Sequence, residues 1–188
     1  MSGTTRSRRA DAERSLAALL AAAADVFVAD GVNAPVRAVA ARAGVGVGTI
    51  YRHFPTRADL VVAVYRHQVE ELAASGAAAA AAAVAPLDDL RRWVHRFTDF
   101  LVTKHGLASA VSTDDATSGA LHALLVERLV PTCGALLDAA ESAGLARPGT
   151  DPYQLLRGVG NLCIGAEGDP RYDARRLVDL LLDGLRHP

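Results

Sequence analysis

A chain of 188 residues has room for one small domain and a second of ordinary size, and a composition 51% hydrophobic but only 5% aromatic, rich in alanine and leucine, favours helix over strand. No run of about 20 uncharged apolar residues is legible, since Leu16–Val28 is cut by Asp25, and Met1–Arg9 leads into Asp11 and Glu13 and not into a signal-peptide core, so neither a membrane span nor export is expected and the expected compartment is cytoplasmic. The net charge of −1 argues against a uniformly basic nucleic-acid binder, yet residues 1–60 hold eight arginines against five carboxylates while residues 61–188 hold twelve basic against sixteen acidic side chains, which leaves the basic end as the candidate contact surface.

The expected fold is all-α, with about nine helices. From Asp11 to Asp30, Leu16, Leu19, Leu20, Ala23 and Phe27 recur at helical spacing and Gly31 stands where a C-terminal cap belongs. Asn33 offers an N-cap and Pro35 a first-turn residue for a short second helix through Val36, Val39, Ala40 and Ala43. Gly44 supplies a residue that accepts positive φ, and a third helix runs from Gly46 or Val47 to His53, with Ile50 and Phe54 inward. Pro55 stops it, and Thr56 caps a long fourth helix that starts near Arg57 and extends through the alanines of 77–83, with a fray or break expected at Ser75 and Gly76.

Leu90, Trp93, Val94, Phe97 and Leu101 mark a fifth helix ending near His105 and Gly106, followed by a short sixth segment at Leu107–Val111 and a polar loop at Ser112–Gly119. A seventh helix runs from Leu121 to Ala140 with a kink expected at Pro131, a linker covers Gly144–Gly149, an eighth helix spans Pro152–Ala166, and a ninth starts near Asp173. The expected divisions are a disordered basic arm over 1–10, a helix-turn-helix domain over 11–57, and a second domain over 58–188. The arm's Arg6, Arg8 and Arg9 suit either a groove-tracking arm or a solubilising tail.

The second and third helices with their glycine turn form a helix-turn-helix, and the third is short enough to lie in a major groove about 12 Å wide. With Val45, Ile50 and Phe54 buried, Val47, Gly48, Thr49, Tyr51, Arg52 and His53 are left facing outward. A threonine hydroxyl can meet a base edge, a valine methyl can meet a thymine methyl, and Gly48 permits close backbone approach; Gly46, at the start of the helix, belongs to the same DNA-facing set but caps it less well and offers no hydroxyl. Arg37 and Arg52 suit either phosphate contact or simple solvation, and Tyr51 either phosphate contact or half-buried packing.

The run Ala40-Ala41-Arg42-Ala43-Gly44-Val45-Gly46-Val47-Gly48-Thr49-Ile50-Tyr51-Arg52-His53-Phe54-Pro55-Thr56-Arg57-Ala58-Asp59-Leu60 resembles the signature of the TetR family. In that family an Ala-Gly-Val turn, a recognition helix of Gly-Thr-x-Tyr-x-His-Phe form and a basic residue opening the next helix follow in that order. The resemblance covers roughly residues 11–65, and beyond them only the helical layout matches. It departs at Gly46, where many relatives carry Ser or Thr, and at Arg57, where many carry Lys. It implies a transcriptional repressor that binds palindromic operator DNA and is released by a small-molecule effector, with Tyr51, His53 and Arg57 gripping phosphates.

One recognition helix reads only a few base pairs, so a homodimer is expected. The resemblance implies that the last two helices pair with their counterparts as a four-helix bundle, through Leu155, Val159, Leu162, Leu177, Leu181 and Leu185. It also implies an effector cavity among the fifth to seventh helices, where Trp93, Phe97, Phe100 and His122 suit either a pocket lining or plain core. Cys133 and Cys163 read as core residues, with no CxxC spacing. Phosphate loops, GxSxG and HExxH are absent from the sequence, so neither an enzyme nor a cofactor is expected. The alternatives kept open are an effector-independent DNA binder and a metal-responsive regulator using His95, His105, His122 and Cys163.

Overall fold

The alanine- and leucine-rich chain folds into helices joined by short turns. The structure is a computed structural model that describes residues 3–111, 115–164 and 171–186, with side chains described for 10–102, 117–164 and 171–186. Among these residues the helices are α1 (Gly3–Asp30), α2 (Val36–Ala43), α3 (Val47–His53), α4 (Arg57–Ala82), α5 (Pro86–Val111), α6 (Asp115–Ser142), α7 (Pro152–Cys163) and α8 (Ala174–Asp183), and no strand is present. The chain divides into two compact units, residues 1–68 with 106–118 and residues 69–105 with 119–188, and α4 contributes to both.

Several boundaries differ from those expected. α1 begins at Gly3 and not near Asp11, because arginine is a good helix former; the side chains of Arg6, Arg8 and Arg9 lie outside the described residues. The fifth helix and the short sixth segment are one helix, α5, since an isolated glycine such as Gly106 is tolerated inside a helical pattern. Of the polar stretch expected as a loop, Ser112–Asp114 lie outside the described residues and Asp115–Gly119 belong to α6: Asp, Thr and Ser open a helix as readily as they interrupt one. α7 closes at Cys163, so the Gly165 and Ala166 end of the expected helix lies outside the described residues. Asn33 is not the N-cap of α2; Pro35 holds that position with extended backbone and no side-chain cap bond.

In the first unit, one face each of α1, α2, α3 and the start of α4 closes over a core that includes Ala23, Phe27, Val39, Ile50, Phe54 and Leu60. Burying a side chain such as Ile50, only 1% exposed, stabilises the unit by about 1.5–3 kcal/mol. Pro55 separates α3 from α4, and a reciprocal cap starts α4: the Asp59 N–H donates to Thr56 Oγ1 at 3.1 Å and the Thr56 N–H donates to Asp59 Oδ2 at 2.9 Å.

In the second unit α4 stays helical through Ser75 and Gly76, where the sequence suggests a break. The reason is close packing. The Trp93 indole N–H donates to the Leu72 carbonyl at 2.8 Å, and a Cβ on Gly76 would collide with the Thr132 methyl and stand 2.5 Å from Trp93 Nε1. A bidentate Arg128–Glu70 pair joins α6 to α4 on the surface, with Nε at 2.9 Å from Oε1 and Nη2 at 2.5 Å from Oε2.

Farther along, α8 is braced on α5. Arg91 Nη1 donates to Asp179 Oδ1 at 2.7 Å and its Nη2 to Asp183, while His95 Nε2 donates to Asp179 Oδ1 at 2.9 Å. Burial raises the Asp179 carboxyl, but His95 and Arg91 outweigh it and hold the group below its ordinary value. α6 holds the one stretch among the described residues, Thr117–Ser142, that is long and apolar enough by length and composition to cross a membrane. Its apolarity is a core stripe, with Leu121, Leu125, Leu129, Cys133 and Leu136 all buried.

Gly76→Ala tests the α4–α5–α6 contact. In an exposed helix the change would stabilise by about 1 kcal/mol; here the added methyl has no space, and we expect a loss of about 1–3 kcal/mol in denaturant unfolding. An unchanged or raised midpoint would contradict the packing.

Candidate nucleic-acid interface

The turn between α2 and α3 decides what α3 presents. Gly44 adopts φ 67° and ψ 28°, a left-handed conformation that costs glycine little, and the chain reverses with the Val45 N–H donating to the Ala40 carbonyl at 3.0 Å and the Gly44 N–H to Ala41 at 3.3 Å. Val45 tucks against the core. Gly46 then enters α3 in extended conformation with no side-chain cap bond, its carbonyl accepting from the Thr49 N–H at 2.9 Å.

α3 is therefore one-sided. Ile50 and the following Phe54 are buried, Thr49 is half-buried, and Val47, Gly48, Tyr51, Arg52 and His53 are exposed. Val47 is 39% and Tyr51 49% exposed, which leaves methyls and a phenol free for an external surface. Arg37 on α2 is also exposed, and neither it nor Arg52 has a carboxylate partner among the described residues. Arg42, by contrast, pairs with Asp25 of α1 at 2.7 Å.

Arg57 stands apart from these. It is half-buried, and its Nη2 donates to the carbonyls of Val32 and, at 2.8 Å, Ala34, while Nε is buried without a partner. The guanidinium thus ties the first turn of α4 to the segment between α1 and α2, a use that the sequence does not announce because its acceptors are main-chain atoms more than twenty residues away.

The second unit holds a cavity of about 220 Å³ among α5, α6 and α7. Of the four residues expected to line a pocket, Phe97 and His122 do so; Trp93 and Phe100 are buried but are not among the lining residues. Sequence reasoning passed over most of the α7 wall. Tyr153, Arg157, Gly160 and Ile164 sit at i, i+4, i+7 and i+11, a second seam on the helix that the leucine-rich face obscures.

Of the residues expected at a dimer interface, Leu155 and Val159 are buried within their own chain, at 5% and 0% exposure, whereas Leu162, Leu177, Leu181 and Leu185 are half-buried. The exposed apolar side chain of α8 is Leu180, at 63%. Both thiols are shut in: burial pushes Cys133 up to about 12 and raises Cys163 as well, so neither is a ready nucleophile or metal ligand. Among the described residues no group of three or more His, Cys, Asp and Glu side chains could hold a metal ion; the side chain of His105 lies outside them, and His95 is spent on Asp179.

A short outward-facing helix after a glycine turn, carried by a separate helical unit, defines a helix-turn-helix DNA-binding protein. The model for bacterial regulatory proteins of the tetR family matches residues 19–64, and that for the SbtR-like transcriptional regulator C-terminal domain matches residues 85–187. The chain belongs to the TetR family and is a DNA-binding, non-enzymatic transcription factor. It is 38% identical to the TetR regulator SCO0520 from Streptomyces coelicolor, covering 90% of this chain and 97% of that one with a TM-score of 0.73. It is 32% identical to a TetR regulatory protein from Mycobacterium vanbaalenii, covering 95% and 99% with a TM-score of 0.68. FadR from Bacillus subtilis shares the fold at 18% identity and a TM-score of 0.57, covering 88% and 95%. No curated protein sequence matches the chain.

Two arginines separate contact from support. Arg57→Ala removes charged hydrogen bonds to main-chain carbonyls, and thermal or denaturant unfolding is expected to show a loss of about 1.5–3 kcal/mol. Arg52→Ala is expected to leave stability within about 0.5 kcal/mol but to weaken DNA binding and lower the slope of log affinity against log salt by about 1. The reverse pattern would contradict the geometry.

Proposed function

We propose that the chain is a ligand-responsive repressor that binds a palindromic operator as a homodimer. The observation that carries the DNA-reading part is the exposed side of α3 opposite the buried Ile50. Val47, Gly48 and Thr49 meet base edges, with Gly46 allowing the backbone close. Tyr51, His53, Arg52 and Arg37 contact phosphates and fix the register. Arg57 serves the same surface by bracing the segment that leads into α2.

Dimerisation runs mainly through α8, since Leu155 and Val159 of α7 are buried within their own chain. On α8, Leu177 and Leu181 are half-buried and Leu180 is exposed, so the apolar arc of this helix is wider than the part its own chain covers. A two-fold partner laid on that arc presents a second α3, and the two must sit about 34–36 Å apart to enter successive major grooves. The effector occupies the cavity of the second unit and favours a state in which that separation is lost, a population shift for which α4, shared by both units, is the connecting element. Such a protein works beside the chromosome, in the cytoplasm.

Selection from a random duplex pool is expected to return an inverted repeat with half-sites about 10 bp apart or a multiple of that. A variant with Leu177→Asp and Leu180→Asp is expected to sediment as a monomer and to bind the selected duplex about 100-fold or more weaker, since the second half-site contact is no longer intramolecular. A selected sequence without two-fold symmetry, or a variant that remains dimeric, would contradict the proposal.

A further inference from the structure

We propose that the ligand held by the cavity of the second unit is a compact amphipath with a single anionic head, a monocarboxylate in chemical class, its head at Arg157 and its apolar body against Phe97. The inference rests on the effector reading above and names the ligand's chemistry. The floor of the cavity is apolar, with Phe97 and Leu101 from α5, Leu125 and Val126 from α6, and Leu156 from α7. The polar groups of its wall are Arg157, His122, Tyr153 and Asn161, and no carboxylate lies among the lining residues.

Arg157 is the informative member. In this unit Arg91, Arg128 and Arg175 are paired with carboxylates, while the exposed Arg96, Arg147 and Arg176 have no carboxylate partner among the described residues and do not line the cavity; Arg157 is the arginine that does. Arg157 is exposed at the cavity and has no carboxylate partner among the described residues. A guanidinium at the mouth of a low-dielectric cleft attracts an anion and matches a carboxylate with two parallel hydrogen bonds. The Tyr153 hydroxyl and the Asn161 amide add neutral donors. A cationic ligand would meet Arg157 with nothing to neutralise either charge, and a headless hydrocarbon would gain nothing from these donors. The volume of about 220 Å³ lies below the roughly 300 Å³ at which drug-sized pockets begin, so the apolar body is a single medium-length chain or a single ring.

The molecule carries its own reporter. Trp93 is the one tryptophan in the sequence, and its ring stacks on Phe97 at 6.2 Å with planes 8° apart, one residue removed from the cavity. Titrating the full chain with decanoate, decanol and decylamine, each below its micelle concentration, and following Trp93 fluorescence compares three heads on one tail. Decanoate is expected to saturate with a Kd at least tenfold below those of the alcohol and the amine. Arg157→Gln is expected to erase that preference by weakening decanoate about tenfold while leaving decanol unchanged. Gly160→Leu fills the cavity from α7, where an added Cβ meets nothing within 4 Å, and is expected to abolish binding without lowering the Tm.

Equal or tighter binding of decanol or decylamine, an Arg157→Gln variant that keeps the preference, or no response of Trp93 to any of the three would overturn the proposal. A Gly160→Leu variant that changes the oligomeric state by sedimentation would also overturn it, by showing that a second copy of the chain fills the cleft. The same ligands added to the protein on its selected duplex separate the two readings. Decanoate that binds with the expected preference but leaves the DNA complex intact upholds the ligand class and sinks the release mechanism; release by decanol and not by decanoate does the opposite.

Discussion

The left-handed backbone at Gly44 is the constraint from which the DNA-reading surface follows. With φ at 67°, the chain leaves α2 and re-enters a helix after only Val45 and Gly46, so α3 is committed to one rotational setting about its axis. Ile50 and Phe54 then fall on the core and Val47, Tyr51 and Arg52 on the outside. A side chain with a Cβ at position 44 would pay the left-handed penalty of about 1–2 kcal/mol. The apolar burial that orients α3 is of similar size, which is why the turn and the packing must agree.

A second use of glycine organises the other unit. Gly76 admits Trp93 and Thr132 to the backbone of α4, and the indole N–H reaches the Leu72 carbonyl. Trp93 in turn stacks on Phe97, which forms part of the cavity floor. The cavity is thus bounded by a buried, closely packed wall on the α5 side, while its α7 side carries the exposed Tyr153, Arg157 and Ile164. A preformed apolar floor and a solvated polar rim are what a small-molecule site requires.

How much of this was legible in the sequence depends on how local the determinants are. The helix-turn-helix could be read almost residue by residue, because Gly44, Pro55 and Thr56 act on their immediate neighbours and the spacing of Ile50 and Phe54 is a local pattern. The TetR resemblance was carried by that same stretch. Asn33 has the side chain of a cap, but residue type says nothing about whether the backbone adopts the capping conformation, which Pro35 does. Gly76 looked like a break and is a contact point; the difference lies in Trp93 and Thr132, seventeen or more residues away. The cavity was legible only in outline, since the α7 seam of Tyr153, Arg157 and Ile164 gains meaning only when α5 and α6 stand opposite it. Arg57 has the residue type of a phosphate ligand, and its main-chain acceptors at Val32 and Ala34 cannot be seen from spacing.

The central claim is spatial: the outer side of α3 touches DNA. It is tested most directly by placing a photoreactive benzoylphenylalanine at position 51, and in a second protein at position 84, where Val84 is 85% exposed in the other unit. Each protein is irradiated on its selected duplex. The account predicts a covalent protein–DNA product from position 51 and none from position 84. A product from position 84 alone, or none from position 51 while the complex is intact, would contradict it.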